Sequence, residues 1–375
     1  MRTPSICFVG LENLPLLAPE FGRFRVGGAE LQQTLLATTL ARRGFRVSMV
    51  VEDLGQPDGA SWRGVETFKA YANSDGIPVL RFVHPRWTGL WAAMKRANAD
   101  LYYVSCAGAL VGQVASFVRV HGRRMIFRVA SDDDCDPSKI RNIRFWRDRK
   151  LYAFGLRNAD ARFAQTAQQQ AALRQHYKVD SVIAPSLADQ GGRNLPYDER
   201  TIDVLWAGTV YSVKRPEIYV DVASRLPGMI FYMLGGAAAG AEPLFDKIKA
   251  STASLTNMKV LGHVSYHEIS DFFDNARVFV NTSEIEGFPN TYLQAWARGT
   301  PVVAFFDPDG LIVREGLGRV VSTVDEMFGA VQQLRNDLKL WAETSERCRA
   351  FMNRRYSEDR FLAPYLETID RLVRQ

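Results

Sequence analysis

The residues best suited to binding a hydroxyl-rich ligand lie in the string EGFPNTYLQAWARGTPVV, which begins at Glu286. The pattern predicts a helix that begins near Pro289, so Glu286 would lie beside free backbone amides that can hold a phosphate or a sugar oxygen. Asn290 and Gln294 are four residues apart and share one helical face. A carboxylate and carboxamides together supply acceptors and donors to hydroxyl groups. A charge at a helix start would explain Glu286 alone, but the whole string favours a binding site.

A second candidate is the loop AGTVYSVKRP at residues 207–216, which follows a predicted strand. Pro216 suits the first turn of a helix. Lys214 and Arg215 would therefore stand where a strand gives way to a helix, a position at which cations can bind a diphosphate. Solvated surface cations would explain the same two residues equally well. The loop taken alone leaves both interpretations open.

The first half of the chain offers two weaker candidates. Gly27 and Gly28 precede a predicted helix, so the backbone can approach an anion closely, although a tight turn explains both glycines as well. The tract SDDDCD begins at Ser131, and its alternate aspartates are the kind of oxygen ligand that Ca²⁺ or Mg²⁺ prefers. The full spacing of a calcium loop is missing and the tract also suits a helix cap, so we expect no metal site.

Short strand-like runs alternate with helical patterns almost from end to end, which predicts βαβ units and parallel, doubly wound sheets. Ligands of such sheets bind beyond the carboxyl ends of the strands, where these loops fall. The predicted strands are residues 5–10, 46–52, 79–83, 101–105, 124–130, 161–166 and 181–185, followed by 202–207, 229–234, 259–261, 277–282 and 301–305.

The length of the chain, 375 residues, exceeds that at which a single hydrophobic core stops growing, so two domains are expected. The polar stretch at 187–200 is rich in Gly and Pro and is the best linker candidate. We expect Rossmann-like domains at 1–187 and 188–350 that face each other across a central cleft. The segment 351–375 is predicted to be a helix that packs back on the first domain.

Positive charge is concentrated in the first half. Residues 1–187 contain 26 Lys and Arg against 16 Asp and Glu, a net charge of +10, whereas the remainder contains 21 against 25, a net charge of −4. Such an excess indicates an anionic partner, which could be a nucleic acid, a membrane surface or a phosphorylated substrate. No nucleic-acid-binding motif accompanies the charge, so nucleic acid is not expected.

Basic and aromatic residues alternate in two stretches, at 86–96 and 141–152. This pattern suits an anionic membrane surface, and it equally suits helices whose aromatic side chains lie in the core.

No apolar run approaches the roughly 20 residues that span a bilayer, and four scattered cysteines argue against a disulfide scaffold or a zinc site. We expect a cytoplasmic protein, peripheral to the inner face of the membrane if the first interpretation holds.

Taken together, these strings resemble the family-four retaining glycosyltransferases, which have the GT-B fold. The string from Glu286 is similar to the E-x7-E region of that family. The resemblance extends to GGAE at 27–30, RNADARFAQTAQQQ at 157–170, VLWAGTVYSVKRPE at 204–217 and LGHV at 261–264. It implies that the second domain holds a nucleotide-sugar and that the first domain holds the acceptor.

The resemblance also implies roles for single residues. Glu286 would contact the donor sugar, Lys214 the diphosphate, and the turn that ends at Val264 the base, while Gly27 and Gly28 would close over the phosphates. The other donor-side residues that it implies are Thr209, Arg215, Gly287, Phe288, Pro289, Asn290 and Gln294.

Three positions depart from the family pattern. Gln294 stands where the family has a second glutamate that binds the ribose. Thr209 stands where an arginine is common, and losing a guanidinium removes bidentate bonds to the diphosphate, which Arg215 would partly replace. Ser131 and Asp132 begin the aspartate tract where many relatives carry a histidine, which makes them the candidates on the acceptor side.

The sequence therefore predicts a retaining, metal-independent, hexosyltransferase-like enzyme with no cofactor, since the nucleotide-sugar is its substrate. It would move a sugar from a UDP- or GDP-sugar to a hydroxyl of a glycan or lipid-linked acceptor, in cell-surface polysaccharide or glycoconjugate synthesis. Thr209 and Gln294 keep an alternative open: a catalytically impaired GT-B scaffold that binds a nucleotide-sugar or glycan, or that partners an active transferase.

Overall fold

The computed structural model of the protein describes residues 3–21, 27–78, 80–140, 143–187 and 192–374. The chain divides into two compact units, each with a sheet and flanking helices. The first unit combines Met1–Leu187 with Phe361–Gln375, and the second is Ala188–Arg360.

The sheet of the first unit is built from apolar strands that are largely buried on both faces, as is typical of parallel sheets covered by helices. Its strands are β1 (Ser5–Val9), β2 (Arg46–Val51), β3 (Ser61–Trp62), β4 (Val65–Lys69), β5 (Leu101–Ser105), β6 (Arg124–Arg128), β7 (Ala161–Ala164) and β8 (Val182–Ile183). Its helices up to residue 187 are α1 (Leu14–Leu17), α2 (Gly28–Arg42), α3 (Thr88–Ala97), α4 (Ala109–Val120), α5 (Trp146–Asn158) and α6 (Ala167–Tyr177). Across the described residues the strand order is β3-β4-β2-β1-β5-β6-β7-β8, with only the β3–β4 pair antiparallel.

The second unit repeats this architecture with a parallel sheet. Its strands are β9 (Ile202–Ala207), β10 (Phe231–Leu234), β11 (Met258–Gly262), β12 (Ala276–Asn281), β13 (Val302–Ala304) and β14 (Gly318–Val320). Its helices are α7 (Pro216–Arg225), α8 (Glu242–Thr252), α9 (Tyr266–Asn275), α10 (Asn290–Ala297), α11 (Leu311–Glu315), α12 (Val324–Asn336) and α13 (Leu338–Arg355). The described strands follow the order β11-β10-β9-β12-β13-β14, so β9 and β12 are central neighbours.

The last helix, α14 (Glu358–Arg374), contributes an apolar stripe to the core of the first unit. The stripe repeats at helical spacing and consists of Phe361, Leu362, Tyr365, Ile369 and Leu372. These side chains pack in one cluster with residues of β1, β2, β5 and β7, and the rings of Tyr365 and Phe163 lie 4.6 Å apart. The final segment of the chain thus completes a core that begins with its first strand.

All but one of the predicted strands lie within about two residues of an observed strand. The strand predicted at 79–83 is wrong: Val79 lies outside the described residues, and residues 80–83 belong to a turn and to the π-helical segment Phe82–Trp87. Two of the apolar residues that suggested a strand, Leu80 and Val83, lie on the surface, with side chains that are 61% and 59% exposed. The strands β3, β4 and β14 were not predicted, because they are short or carry polar residues.

The stretch predicted to be a linker, 187–200, lies partly outside the described residues, which omit 188–191. Residues 192–196 form neither helix nor strand, and a short 3-10 turn follows at Tyr197–Glu199. Within the described ranges, no helix combines the length and the apolar character needed to cross a membrane.

Candidate functional site

The loops after β9 and β12 leave the same edge of the second sheet, because the two strands are parallel neighbours. The backbone N–H of Glu284 donates to the carbonyl of Val213 (2.9 Å). The Thr282 hydroxyl donates to the carbonyl of Lys214 (2.5 Å). These bonds hold the loops side by side and bring together two residues that were predicted from separate motifs, Lys214 and Glu286.

The Lys214 ammonium forms an ion pair with Oε1 of Glu286, and the two side chains are only 17% and 14% exposed. The same carboxylate oxygen accepts a hydrogen bond from the Ser283 hydroxyl (2.6 Å) and one from the Asn281 side-chain amide (3.3 Å). Partial burial strengthens such charge-assisted bonds relative to bulk water. The second sheet therefore presents a paired cation and carboxylate at the carboxyl end of its central strands.

Ser283 and Asn281 were not predicted to belong to the site. Asn281 ends β12 and Ser283 follows two residues later, and both are nearly fully buried. The sequence does carry a signal for both residues, namely polar side chains at the carboxyl end of an otherwise apolar, buried strand. Buried polar groups require partners.

The side chain of Arg215 contacts residues that follow neighbouring strands and does not extend freely into solvent. Its Nε donates to the carbonyl of Thr282 (2.9 Å), and its guanidinium lies 4.4 Å from the ring centroid of Phe305. Its backbone is left-handed, with a φ of 43°, directly before the Pro216 that starts α7. Thr209 is half-buried in the loop after β9. That Arg215 partly replaces the missing arginine stays a prediction.

The loops after β9, β10 and β11 touch through glycines. The N–H of Gly208 donates to the carbonyl of Leu234 (3.0 Å), and the N–H of Gly235 donates to the carbonyl of Gly262 (2.6 Å). A Cβ on Gly235 would lie 1.8 Å from the carbonyl oxygen of Gly208, and its φ is +128°. Val264, the residue predicted near a base, is half-buried in the turn after β11 and packs against the core.

The start of α10 follows the prediction closely. The helix begins at Asn290 after Pro289, whose carbonyl accepts the first intrahelical bond from Tyr292 (3.1 Å). Gln294 is 7% exposed, on the same helix. Gly287, which lies before the start of α10, is buried, and the ring centroid of Phe288 lies 6.5 Å from that of Trp296.

In the first unit, the predicted anion site at Gly27 and Gly28 already holds a carboxylate of the chain itself. The α2 helix begins at Gly28, and the Glu30 carboxylate lies against Gly27, with Oε2 2.4 Å from the position that a Cβ on Gly27 would take. Burial raises the pKa of Glu30 above its ordinary value. Val26, the residue before the pair, lies outside the described residues.

The aspartate tract forms a capped 3-10 turn. Of its two interpretations, a metal site and a cap, the structure shows the cap. The Ser131 hydroxyl accepts from the N–H of Asp133 (3.2 Å), and Oδ2 of Asp134 accepts from the N–H groups of Ala130 (2.9 Å) and Ser131 (3.2 Å). Asp132 accepts from the Gln169 side chain (2.9 Å). In the part of the chain that the structure describes, no cluster of three or more His, Cys, Asp or Glu is arranged to hold a metal ion.

Phe82 connects the two basic and aromatic stretches of the first unit, since its ring lies 5.8 Å from that of Trp87 in the stretch 86–96. The guanidinium of Arg147 lies 3.5 Å from the ring centroid of Phe82. Trp146 is 71% exposed, whereas Tyr152 is fully buried and Trp91 packs against Phe117. The aromatic residues therefore divide between core and surface. Arg141 lies outside the described residues.

Comparison with known proteins decides the family. Residues 27–184 match the model of the glycosyl transferase 4-like domain, and residues 201–337 match that of the glycosyl transferases group 1. The chain belongs to the group 1 glycosyltransferases. A curated relative, the D-inositol 3-phosphate glycosyltransferase of Arthrobacter sp. (strain FB24), is 29% identical over 161 residues, which are 38% of this chain and 38% of the relative.

Solved structures show that this group 1 glycosyltransferase has the GT-B fold. Sucrose-phosphate synthase from Thermosynechococcus elongatus superposes with a TM-score of 0.79 at 17% identity, covering 99% of both chains. Anabaena Alr3699/HepE in complex with UDP and glucose gives 0.69 at 15% identity, covering 98% of this chain and 99% of that one. WaaG, a glycosyltransferase of lipopolysaccharide biosynthesis, gives 0.66 at 15% identity, covering 97% and 98%.

Proposed function

We propose that the protein is a retaining glycosyltransferase that moves a sugar from a UDP- or GDP-sugar to a hydroxyl of a glycan or lipid-linked acceptor, in cell-surface polysaccharide or glycoconjugate synthesis. The observation that carries the proposal is the Lys214–Glu286 pair at the carboxyl ends of β9 and β12. Family membership supports it, as does a neighbour solved with UDP and glucose.

In the proposed reaction the bond between the donor's anomeric carbon and its phosphate oxygen breaks, and the acceptor oxygen attaches on the same face of the sugar. The leaving diphosphate takes the proton of the acceptor hydroxyl. Lys214 and the amides at the start of α10 stabilise the charge that develops on the diphosphate. Glu286 orients the sugar and stabilises its developing positive charge. No metal ion and no cofactor take part in this scheme.

The remaining residues would shape the two substrate sites. The second unit would hold the donor and the first unit the acceptor, with Gly27 and Gly28 near the phosphates and Ser131 and Asp132 on the acceptor side. On the donor side, the contributing residues would be Thr209, Arg215, Val264, Gly287, Phe288, Pro289, Asn290 and Gln294.

The first test of the proposal is release of free nucleotide from a nucleotide-sugar in the presence of candidate acceptors. We expect Glu286→Ala to abolish turnover, because the carboxylate that contacts the reacting sugar is lost. As a matched control, Glu343→Ala removes an exposed carboxylate of α13 and should leave turnover unchanged. A near-normal rate in Glu286→Ala would rule the mechanism out.

A second candidate function is a scaffold that binds a nucleotide-sugar or glycan, or partners an active transferase, without catalysis. It is favoured by Thr209 and Gln294, and by the engagement of Arg215 with Thr282 and Phe305. The two functions differ in one readout, since only the enzyme releases nucleotide in an acceptor-dependent way.

We further propose that the protein is cytoplasmic and binds the inner face of the membrane through the surface around Trp146. Exposed aromatic rings beside Arg147 and Lys150 suit anionic lipid. Co-sedimentation with phosphatidylglycerol vesicles tests this proposal. Trp146→Ala should weaken binding, whereas equal binding to neutral phosphatidylcholine vesicles would contradict it. No nucleic acid partner is proposed.

A further inference from the structure

The carboxylate of Glu286 accepts hydrogen bonds from two neutral donors in addition to its ion pair with Lys214. Its Oε1 accepts from the Lys214 ammonium, the Ser283 hydroxyl (2.6 Å) and the Asn281 amide (3.3 Å). One oxygen of the carboxylate is thus triply engaged within the protein.

We propose that Ser283, assisted by Asn281, is a positioning residue that keeps Oε1 of Glu286 hydrogen-bonded when Lys214 turns to the diphosphate of a bound nucleotide. The inference rests on the proposed function, in which Lys214 binds the diphosphate. It adds that Lys214 binds two anions in turn, first the Glu286 carboxylate and then the diphosphate. The neutral donors Ser283 and Asn281 lower the energetic cost of this exchange.

The energetic reason is the burial of the pair. Removing one partner from a buried ion pair strands the other charge, which is strongly unfavourable unless further hydrogen bonds satisfy it. Ser283 and Asn281 are 2% and 6% exposed, so their donors are fixed in place. The Oδ1 of Asn281 also accepts a hydrogen bond from the backbone N–H of Ser283 (2.7 Å), which ties the Asn281 side chain to the loop.

The exchange predicts a coupling between Ser283 and Glu286 in nucleotide binding. Without the Ser283 hydroxyl, Glu286 depends more on Lys214, and the lysine becomes less available to a diphosphate. When Glu286 is replaced by Gln, no carboxylate competes for Lys214, and the hydroxyl of Ser283 ceases to matter for nucleotide affinity.

A calorimetric double-mutant cycle tests this coupling, with UDP, GDP and ADP as probes. The variants are Ser283→Ala, Glu286→Gln and the combination of both. Ser345→Ala is the matched control, since Ser345 is also fully buried and its hydroxyl accepts a hydrogen bond from an arginine, Arg349 (2.9 Å). Ser283→Thr keeps a hydroxyl at the position.

We expect Ser283→Ala to weaken binding of the preferred nucleotide about tenfold, the scale of one hydrogen bond to a charged group. Glu286→Gln should tighten binding several-fold, and adding Ser283→Ala to it should change the affinity less than twofold. Ser283→Thr and Ser345→Ala should bind like the wild type, within about threefold.

Equal weakening by Ser283→Ala in both backgrounds would overturn the inference, because a merely structural role is additive. Wild-type affinity in Ser283→Ala would overturn it too. In both cases the proposed function stands, since the wild type binds nucleotide. If the wild type binds none of the three nucleotides, the proposed function itself fails and the inference falls with it.

Discussion

Asp134 is a nearly buried carboxylate whose ionisation opposes folding. It is 2% exposed, and burial is the main cause that raises its pKa from an ordinary 3.8 to about 6. Hydrogen bonds from the N–H groups of Ala130 and Ser131 act in the opposite direction, and the nearby charge of Asp133 adds to the rise. The side chain caps its turn in either charge state, because an oxygen acceptor is present in both.

The raised pKa predicts a stability loss with increasing pH. The protonated form is favoured in the folded state, so the contribution of Asp134 is fully present below about pH 4 and is lost as the pH rises through about 6. Relative to Asp134→Asn, which stays neutral and keeps an acceptor, the wild type should lose about 3 kcal/mol of unfolding free energy between pH 4 and 7.5.

Denaturant unfolding at a series of pH values measures this difference. Asp180→Asn is the control, because Asp180 is 83% exposed and its ion pair with Arg174 lies on the surface. Parallel pH profiles for the wild type and Asp134→Asn would contradict the prediction.

At the residue scale, the sequence indicated Lys214 and Glu286 as separate candidates, but neither their ion pair nor the residues that hold it. Lys214 and Glu286 were predicted because each lies in a recognisable loop after a strand. Their contact depends on β9 and β12 being neighbours in the sheet. The sequence of neither loop indicates that strand order. The direction of Arg215 follows from its left-handed backbone and from the ring of Phe305, which no local pattern indicates.

Among the elements, the loops after β9 and β10 depend on one close approach between glycines. Gly235→Ala would place a Cβ 1.8 Å from the carbonyl oxygen of Gly208, at a φ of +128° that alanine rarely adopts. We expect it to lower the unfolding free energy by at least about 2 kcal/mol and to weaken nucleotide binding, because the loop beside Thr209 must shift.

The matched control for this prediction is Gly228→Ala in the same unit, where no atom lies within 4 Å of the added methyl group. Thermal unfolding midpoints and calorimetric affinities of the two variants are compared. If Gly235→Ala behaves like Gly228→Ala in both measurements, the close approach does not shape the site.

The elements themselves were largely predictable, since alternating apolar strands and amphipathic helices leave a strong periodic signal. The exception is instructive: the apolar run at 79–83 suggested a buried strand, yet Leu80 and Val83 lie exposed. Composition alone cannot distinguish an apolar run that is covered by the fold from one that stays on the surface. The strand β4, which lies between β3 and β2, was missed for the converse reason, since Glu66 and Lys69 give it a polar sequence.

At the scale of the whole molecule, the end of the chain stabilises its beginning. Tyr365 of α14 is buried against Phe163 and lies close to Arg128, a fully buried arginine that donates to Ser186 (2.9 Å). The core of the first unit is therefore incomplete until α14 has docked.

Tyr365→Ala should lower the unfolding free energy of the first unit by about 3–5 kcal/mol, through a cavity and a lost partner for a buried charge. Val373→Ala, at a position of α14 that is 45% exposed, should cost less than about 1 kcal/mol. Chemical denaturation monitored by far-ultraviolet circular dichroism distinguishes the two. Similar losses in both variants would show that α14 does not depend on this buried stripe.

The most direct test of the central claim, that the protein binds a nucleotide-sugar through Lys214, is a calorimetric titration. UDP, GDP, ADP and their common sugar conjugates are titrated into the wild type, Lys214→Ala and the control Lys339→Ala, which removes an exposed lysine of α13. We predict saturable binding of one nucleotide, weakened about tenfold or more by Lys214→Ala and unchanged by Lys339→Ala. Absence of binding across the whole panel, or wild-type affinity in Lys214→Ala, would contradict the claim.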